Sequence, residues 1–145
     1  MKILVCTDGS EHSQKVLEAA SKTANGCDVA EVAVIHVYDD TPGSRLYATT
    51  KEDIVRLNKL EENLKEERKK ILSNALNFFQ KENIEAYAIF EKGHPSETIN
   101  RIASEKEVDM IVIGSRGLGG LKKLYLGSVS SAVIQEANCN VLIVK

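Results

Sequence analysis

The sequence predicts an α/β fold: five short strands alternating with four helices, a parallel sheet, and helices on both faces. Three observations carry this. Apolar runs of four to eight residues alternate with segments of helical periodicity along the whole chain. The runs are almost continuously apolar, as expected of strands buried on both sides. Each pair of runs is separated by enough residues for a helical crossover, and right-handed crossovers leave few topologies. The 145 residues suit one compact domain spanning 1–145.

The first run, KILVC (Lys2–Cys6), stops at the turn TDGS. Ser10 is placed to cap a helix with Val16, Leu17, Ala20 and Ala24 on one face. The next strand is VAEVAVIHVY (Val29–Tyr38). A long charged stretch from Lys51 to Glu82 carries Leu57, Leu60, Leu64, Ile71, Ala75 and Phe78 at steps of three, four or seven. That spacing predicts an amphipathic helix; a coiled coil would show it, and one buried stripe against the sheet needs the same pattern. IEAYAIFEKG (Ile84–Gly93) is the third strand, and Pro95 opens the next helix, where its missing N–H costs nothing. VDMIVIG (Val108–Gly114) is the most apolar strand. A glycine-rich segment, a helix from Ser128 to Ala137, and a last strand, NVLIVK (Asn140–Lys145), complete the pattern.

Bulk properties exclude several classes. A net charge of −2 with both signs interspersed argues against nucleic acid or a membrane surface as partner. No apolar run approaches the ~20 residues a spanning helix needs. The N-terminus turns polar too early for a secretory signal, and the scattered Cys6, Cys27 and Cys139 fit a reducing cytosol. His12, His36 and His94 are too dispersed to predict a metal site.

In open parallel sheets, ligands bind beyond the carboxyl ends of the strands, where the strand order reverses. Two strand ends carry unusual chemistry: CTDGS, with Asp8, and the glycine segment after Gly114. Gly114 and Gly117 let backbone amides approach a ligand closely. Gly127 and Ser128 open a helix whose unpaired N–H groups suit a phosphate. Arg116, Lys122 and Lys123 add positive charge, although the two lysines suit a solvated surface equally well. The P-loop pattern fails, because Gly120 stands where its lysine belongs; the dinucleotide pattern fails at Lys122. Asp8 has a second reading as a turn residue bonding its own backbone. Ser128 reads first as the helix cap and then as a ligand group, and His36 as a core or cleft-edge histidine. Cys6 and Cys139 read as small buried hydrophobes.

What fits is Gly114-x2-Gly117-x9-Gly127-Ser128, which resembles the nucleotide-binding signature of the universal stress protein family, G-x2-G-x9-G-[ST]. KILVCTDGSEHS, VIHVYD and GHPSETI resemble the family's opening strand and turn, its second strand and its Gly-x-Pro turn. The resemblance implies a doubly wound five-stranded parallel sheet of order 3-2-1-4-5, paired as a homodimer. It implies ATP as the ligand, with AMP or ADP as alternatives and Mg²⁺ carried by the phosphates. It implies that Asp8 contacts the ribose or the metal-phosphate region and that Val37 and Ile113 flank the adenine. Cys6 and Thr7 lie beside the base, and Gly114, Gly117, Gly127, Ser128 and Val129 hold ribose and phosphates. Cys6 departs from relatives that carry proline there.

The expected function is a cytosolic regulatory protein of stress response in which nucleotide occupancy orders the segment Ser115–Leu126. Edge pairing through Asn140–Lys145 is the expected dimer contact. Competing expectations are a slow Mg-dependent ATP hydrolase or phosphotransferase using Asp8, and a dimeric interaction module without a nucleotide. A signalling receiver lacks its acidic cluster and lysine here, and a flavin carrier would place its phosphate loop after the first strand.

Overall fold

The computed structural model describes residues 1–39, 50–116 and 126–145. Among them the elements run β1 (Lys2–Cys6), α1 (Glu11–Gly26), β2 (Glu31–Tyr38), α2 (Lys51–Lys81), β3 (Ala86–Lys92), α3 (Pro95–Glu105), β4 (Met110–Gly114), α4 (Ser128–Glu136) and β5 (Asn140–Val144). The five strands form one parallel sheet in the order β3-β2-β1-β4-β5. The order reverses between β1 and β4, so the crevice of the fold opens above their carboxyl ends.

Alternation along each strand divides the core between the two faces. Ile3 and Val5 of β1 and Val32 and Val34 of β2 pack under α1 and α2. Leu4, Cys6, Ala33 and Ile35 pack on the opposite face with Ile99 and Ile102 of α3 and Val133 of α4. The central strands are buried through both layers, which is why they read as unbroken apolar runs rather than as alternating ones.

Local chemistry fixes the ends. Ser10 caps α1, its side chain accepting from the Ser13 amide, as its position predicts. Thr50 and Asp53 form a capping box at the start of α2. Gly9 takes φ +77° in the turn between β1 and α1, a conformation open to glycine. Strands β2, β3 and β4 begin two residues later than the apolar runs do. Val29 and Ile84 serve instead as turn residues ahead of the ladder, Val29 donating to the Cys27 carbonyl and Ile84 to that of Phe79.

The stripe on α2 differs from its sequence reading. The buried residues are Leu72, Ala75 and Phe79, whereas Leu60 and Leu64 are 53% and 38% exposed. A helix of 31 residues is about 46 Å long, while a strand of eight spans about 26 Å. Only one end of α2 can lie over the sheet, and its C-terminal half does.

Candidate functional site

Above the carboxyl ends of β1, β2 and β4 lies a cleft of about 820 Å³. Its floor is Cys6, Ile35, Val37, Ile113 and Gly114; one wall is His12, Ser13 and Val16 of α1; the other is Pro95, Ile99 and Val129. Of the ten site residues named from sequence, Cys6, Thr7, Asp8, Val37, Ile113, Gly114, Gly127, Ser128 and Val129 line this one cleft. Gly117 lies outside the described residues, as do Gly119, Gly120, Lys122 and Lys123.

The β1 end is built rigidly. Thr7 is buried; its N–H donates to the Ile35 carbonyl at 3.0 Å, and its own carbonyl accepts from Nδ1 of His36 at 2.8 Å. His36 is therefore a buried cleft-edge residue with one nitrogen engaged, stacked against Phe90. Asp8 Oδ1 accepts from the Ser10 amide at 3.0 Å and from the Ser13 hydroxyl at 2.5 Å. Asp8 bonds its own turn, and it also lines the cleft. Burial pushes its carboxyl up, but the hydrogen bonds from Ser10 and Ser13 outweigh this and hold it below the usual aspartate range. The carboxylate is ionised at neutral pH. Burial pushes the Cys6 thiol up, so it offers the cleft a neutral, polarisable surface rather than a nucleophile.

The opposite end is the start of α4. Gly127, not Ser128, is its N-cap, and no side chain caps it. Ser128 is the exposed first helical residue, so its expected capping role is corrected. Ser130 is buried and lines the cleft, and its hydroxyl proton is engaged by the carbonyls of Gly127 at 3.0 Å and Ser115 at 3.3 Å. The amides of Ser128, Val129 and Ser130 belong to the first turn and have no intrahelical acceptor. Helices α1 and α2 spend side chains on these groups; among the described residues, α4 leaves them open where it meets the cleft. Gly114 sits tightly: a Cβ there would lie 2.8 Å from the His12 ring and 3.0 Å from the Arg116 carbonyl.

Sequence reasoning missed His12, Tyr38, Asp39, Arg68, Pro95 and Ile99 as cleft residues. Arg68 had a signal. It stands four residues after Leu64 and three before Ile71, a cation on the apolar stripe. It reaches over the Tyr38 ring at 5.2 Å from the centroid, at the β2 end of the cleft. His12 had none beyond following Asp8 into the first turn of α1.

The universal stress protein family model matches residues 1–145. The chain belongs to the universal stress protein family. The family's expected sheet order is the one observed. The universal stress protein YxiE of Bacillus subtilis is 38% identical over 151 aligned residues, covering 99% of this chain and 98% of that protein. Among solved structures, that of the hypothetical protein MJ0577 of Methanocaldococcus jannaschii superposes with a TM-score of 0.81 at 33% identity, covering 99% of this chain and 94% of the other. A universal stress protein of Archaeoglobus fulgidus, solved in complex with dAMP, superposes with a TM-score of 0.69 at 30% identity over 100% of this chain and 98% of that one. Among the described residues, no helix is long and apolar enough to cross a membrane, and no cluster of three or more His, Cys, Asp or Glu side chains is placed to hold a metal ion.

Proposed function

We propose that residues 1–145 form a nucleotide-binding domain of a cytosolic regulatory stress protein whose ligand is an adenine nucleotide, ATP foremost. The observation that carries this reading is the uncapped first turn of α4 opening onto an apolar-floored cleft. Free amides and the positive end of the helix receive phosphates. Cys6, Thr7, Val37 and Ile113 give the base a flat apolar seat, and Asp8 stands ionised for the ribose or for a Mg²⁺ brought by the phosphates. The chemistry of the residues present fits such a ligand, and the dAMP complex of the Archaeoglobus relative supports an adenylate. AMP and ADP would share the base seat and bind more weakly through fewer phosphate contacts. Two chains pair through the β5 edge (Asn140–Lys145). Occupancy changes what Ser115–Leu126 presents to partners by favouring the state that binds nucleotide better; residues 117–125 of that segment lie outside the described residues.

Ser128→Glu tests the site without threatening the fold. Ser128 is exposed at the first helical position, where an acidic side chain suits the helix dipole and adds about 0.3–1 kcal/mol. The same charge would repel the phosphates. ATP affinity measured by calorimetry should fall at least about tenfold while the thermal midpoint holds or rises. Equal affinity for both proteins would count against the site.

A further inference from the structure

The Val144 carbonyl at the end of β5 accepts two hydrogen bonds, from the Ser115 amide at 2.7 Å and from Nε2 of His12 at 2.9 Å. A carbonyl can only accept, so Nε2 of His12 carries the proton. The Ser115 carbonyl in turn accepts from the Gly127 amide at 2.8 Å and from the Ser130 hydroxyl at 3.3 Å. Ser115 is buried and works as a two-sided clamp. Its N–H grips the last strand and its C=O grips the N-cap of α4. Among the described residues, Ser130 of α4 and His12 of α1 both bond this clamp and line the cleft, and His12 comes from outside the two elements the clamp joins. Its ring fills the space beside Gly114 that a Cβ would need.

We infer that His12 is a positioning residue that joins the ligand cleft to the open edge of the sheet. By holding Val144 against Ser115, it makes the first turn of α4 and the β5 strand move as one unit. A ligand that draws in the α4 amides acts on Ser115 through Gly127, and Ser115 passes the shift to Val144. The consequence at the edge follows from the ladder. Asn140 donates to Asp109 and Val144 accepts from Ser115, so alternate residues 140, 142 and 144 face β4. The backbone groups of Val141 and Ile143 point the other way, toward the open edge. Their presentation to a second strand depends on how firmly Val144 is held.

The ligand arm of this inference rests on the nucleotide reading; the clamp itself does not. Amide hydrogen exchange tests both, on wild type, His12→Ala and His12→Gln, where glutamine restores a side-chain N–H donor. Without ligand, the Ser115 amide in His12→Ala should exchange about tenfold faster than in wild type, the effect of losing one partly buried hydrogen bond. In His12→Gln it should return toward the wild-type rate, and the acceleration at Ser115 in His12→Ala should exceed that at Val5 in the core, which follows global stability alone. With ATP, wild type should slow exchange at both Val129 and the β5 segment, whereas His12→Ala should slow it at Val129 alone. Unchanged Ser115 exchange in His12→Ala, or a β5 response to ATP that survives the substitution, would overturn the inference. A wild type silent to ATP everywhere, with the Ser115 difference intact, would overturn the nucleotide reading and uphold the clamp.

Discussion

A Cβ on Gly114 would have to displace the His12 ring at 2.8 Å or the Arg116 carbonyl at 3.0 Å. Gly114→Ala should therefore cost about 1–3 kcal/mol, the range for overpacking a close-fitted site, as read by urea denaturation. Gly127 is different. Its φ of −65° is open to any residue, and an added methyl would make ordinary contact at 3.4 Å. Gly127→Ala should fold at near wild-type stability. The two glycines look alike in the sequence motif; what separates them is chiefly the His12 ring against Gly114, which α1 supplies from more than a hundred residues away. Asp8 gives a pH prediction. Its folded-state carboxyl is held below the ordinary value, so its contribution to stability is present above the unfolded pKa and lost as pH falls through the folded one. Asp8→Asn should flatten the acid limb of the stability curve, and the Asp8 carboxyl should titrate by ¹³C NMR below the range of exposed aspartates. An ordinary or raised value would contradict the turn geometry.

At the scale of elements, α2 gives the sharpest contrast. Phe79 is fully buried against the sheet while Leu60 is 53% exposed, although both lie on one charged helix. Phe79→Ala should cost about 3–5 kcal/mol. Leu60→Gln should stay within about 0.5 kcal/mol of wild type. Chemical denaturation of both variants checks the pair. The existence of α2 was legible because its 3–4 periodicity persists from Leu57 to Phe78, about six turns. Which turns touch the sheet was not, because periodicity carries no information about where a long helix runs past a short strand. The same distinction holds for the candidate site. The strand ends and the glycine–serine start of α4 were visible as local patterns, and they locate the cleft. Ser128 was misread as the cap because serine is the commoner capping residue, whereas here the bare Gly127 leaves the turn open. Tyr38, Pro95 and Ile99 entered the cleft through packing that no local pattern encodes.

At the scale of the whole molecule, β5 is an edge strand of the sheet, unpaired on its outer side among the described residues. The proposed dimer uses the outward groups of Val141 and Ile143. Val141→Pro removes one outward donor and leaves the β4 ladder intact, since proline is tolerated where the N–H faces away from the sheet. It should keep the monomer folded and weaken self-association at least about tenfold, the cost of one or more lost backbone hydrogen bonds, as measured by sedimentation. Binding should also stabilise the fold: ATP at a hundredfold excess over its dissociation constant adds about 2.7 kcal/mol. The central claim is narrower than either result. It holds that the open amides of the first turn of α4 receive a phosphate tail. The most direct measurement is a ¹H–¹⁵N NMR titration with ATP and, separately, with adenosine. The account predicts that the Ser128 and Val129 amides move downfield and saturate with ATP, while adenosine leaves both in place and shifts residues of the base and ribose seat around Asp8, Val37 and Ile113. Amides at Ser128 and Val129 that ignore ATP, or respond equally to adenosine, would contradict it.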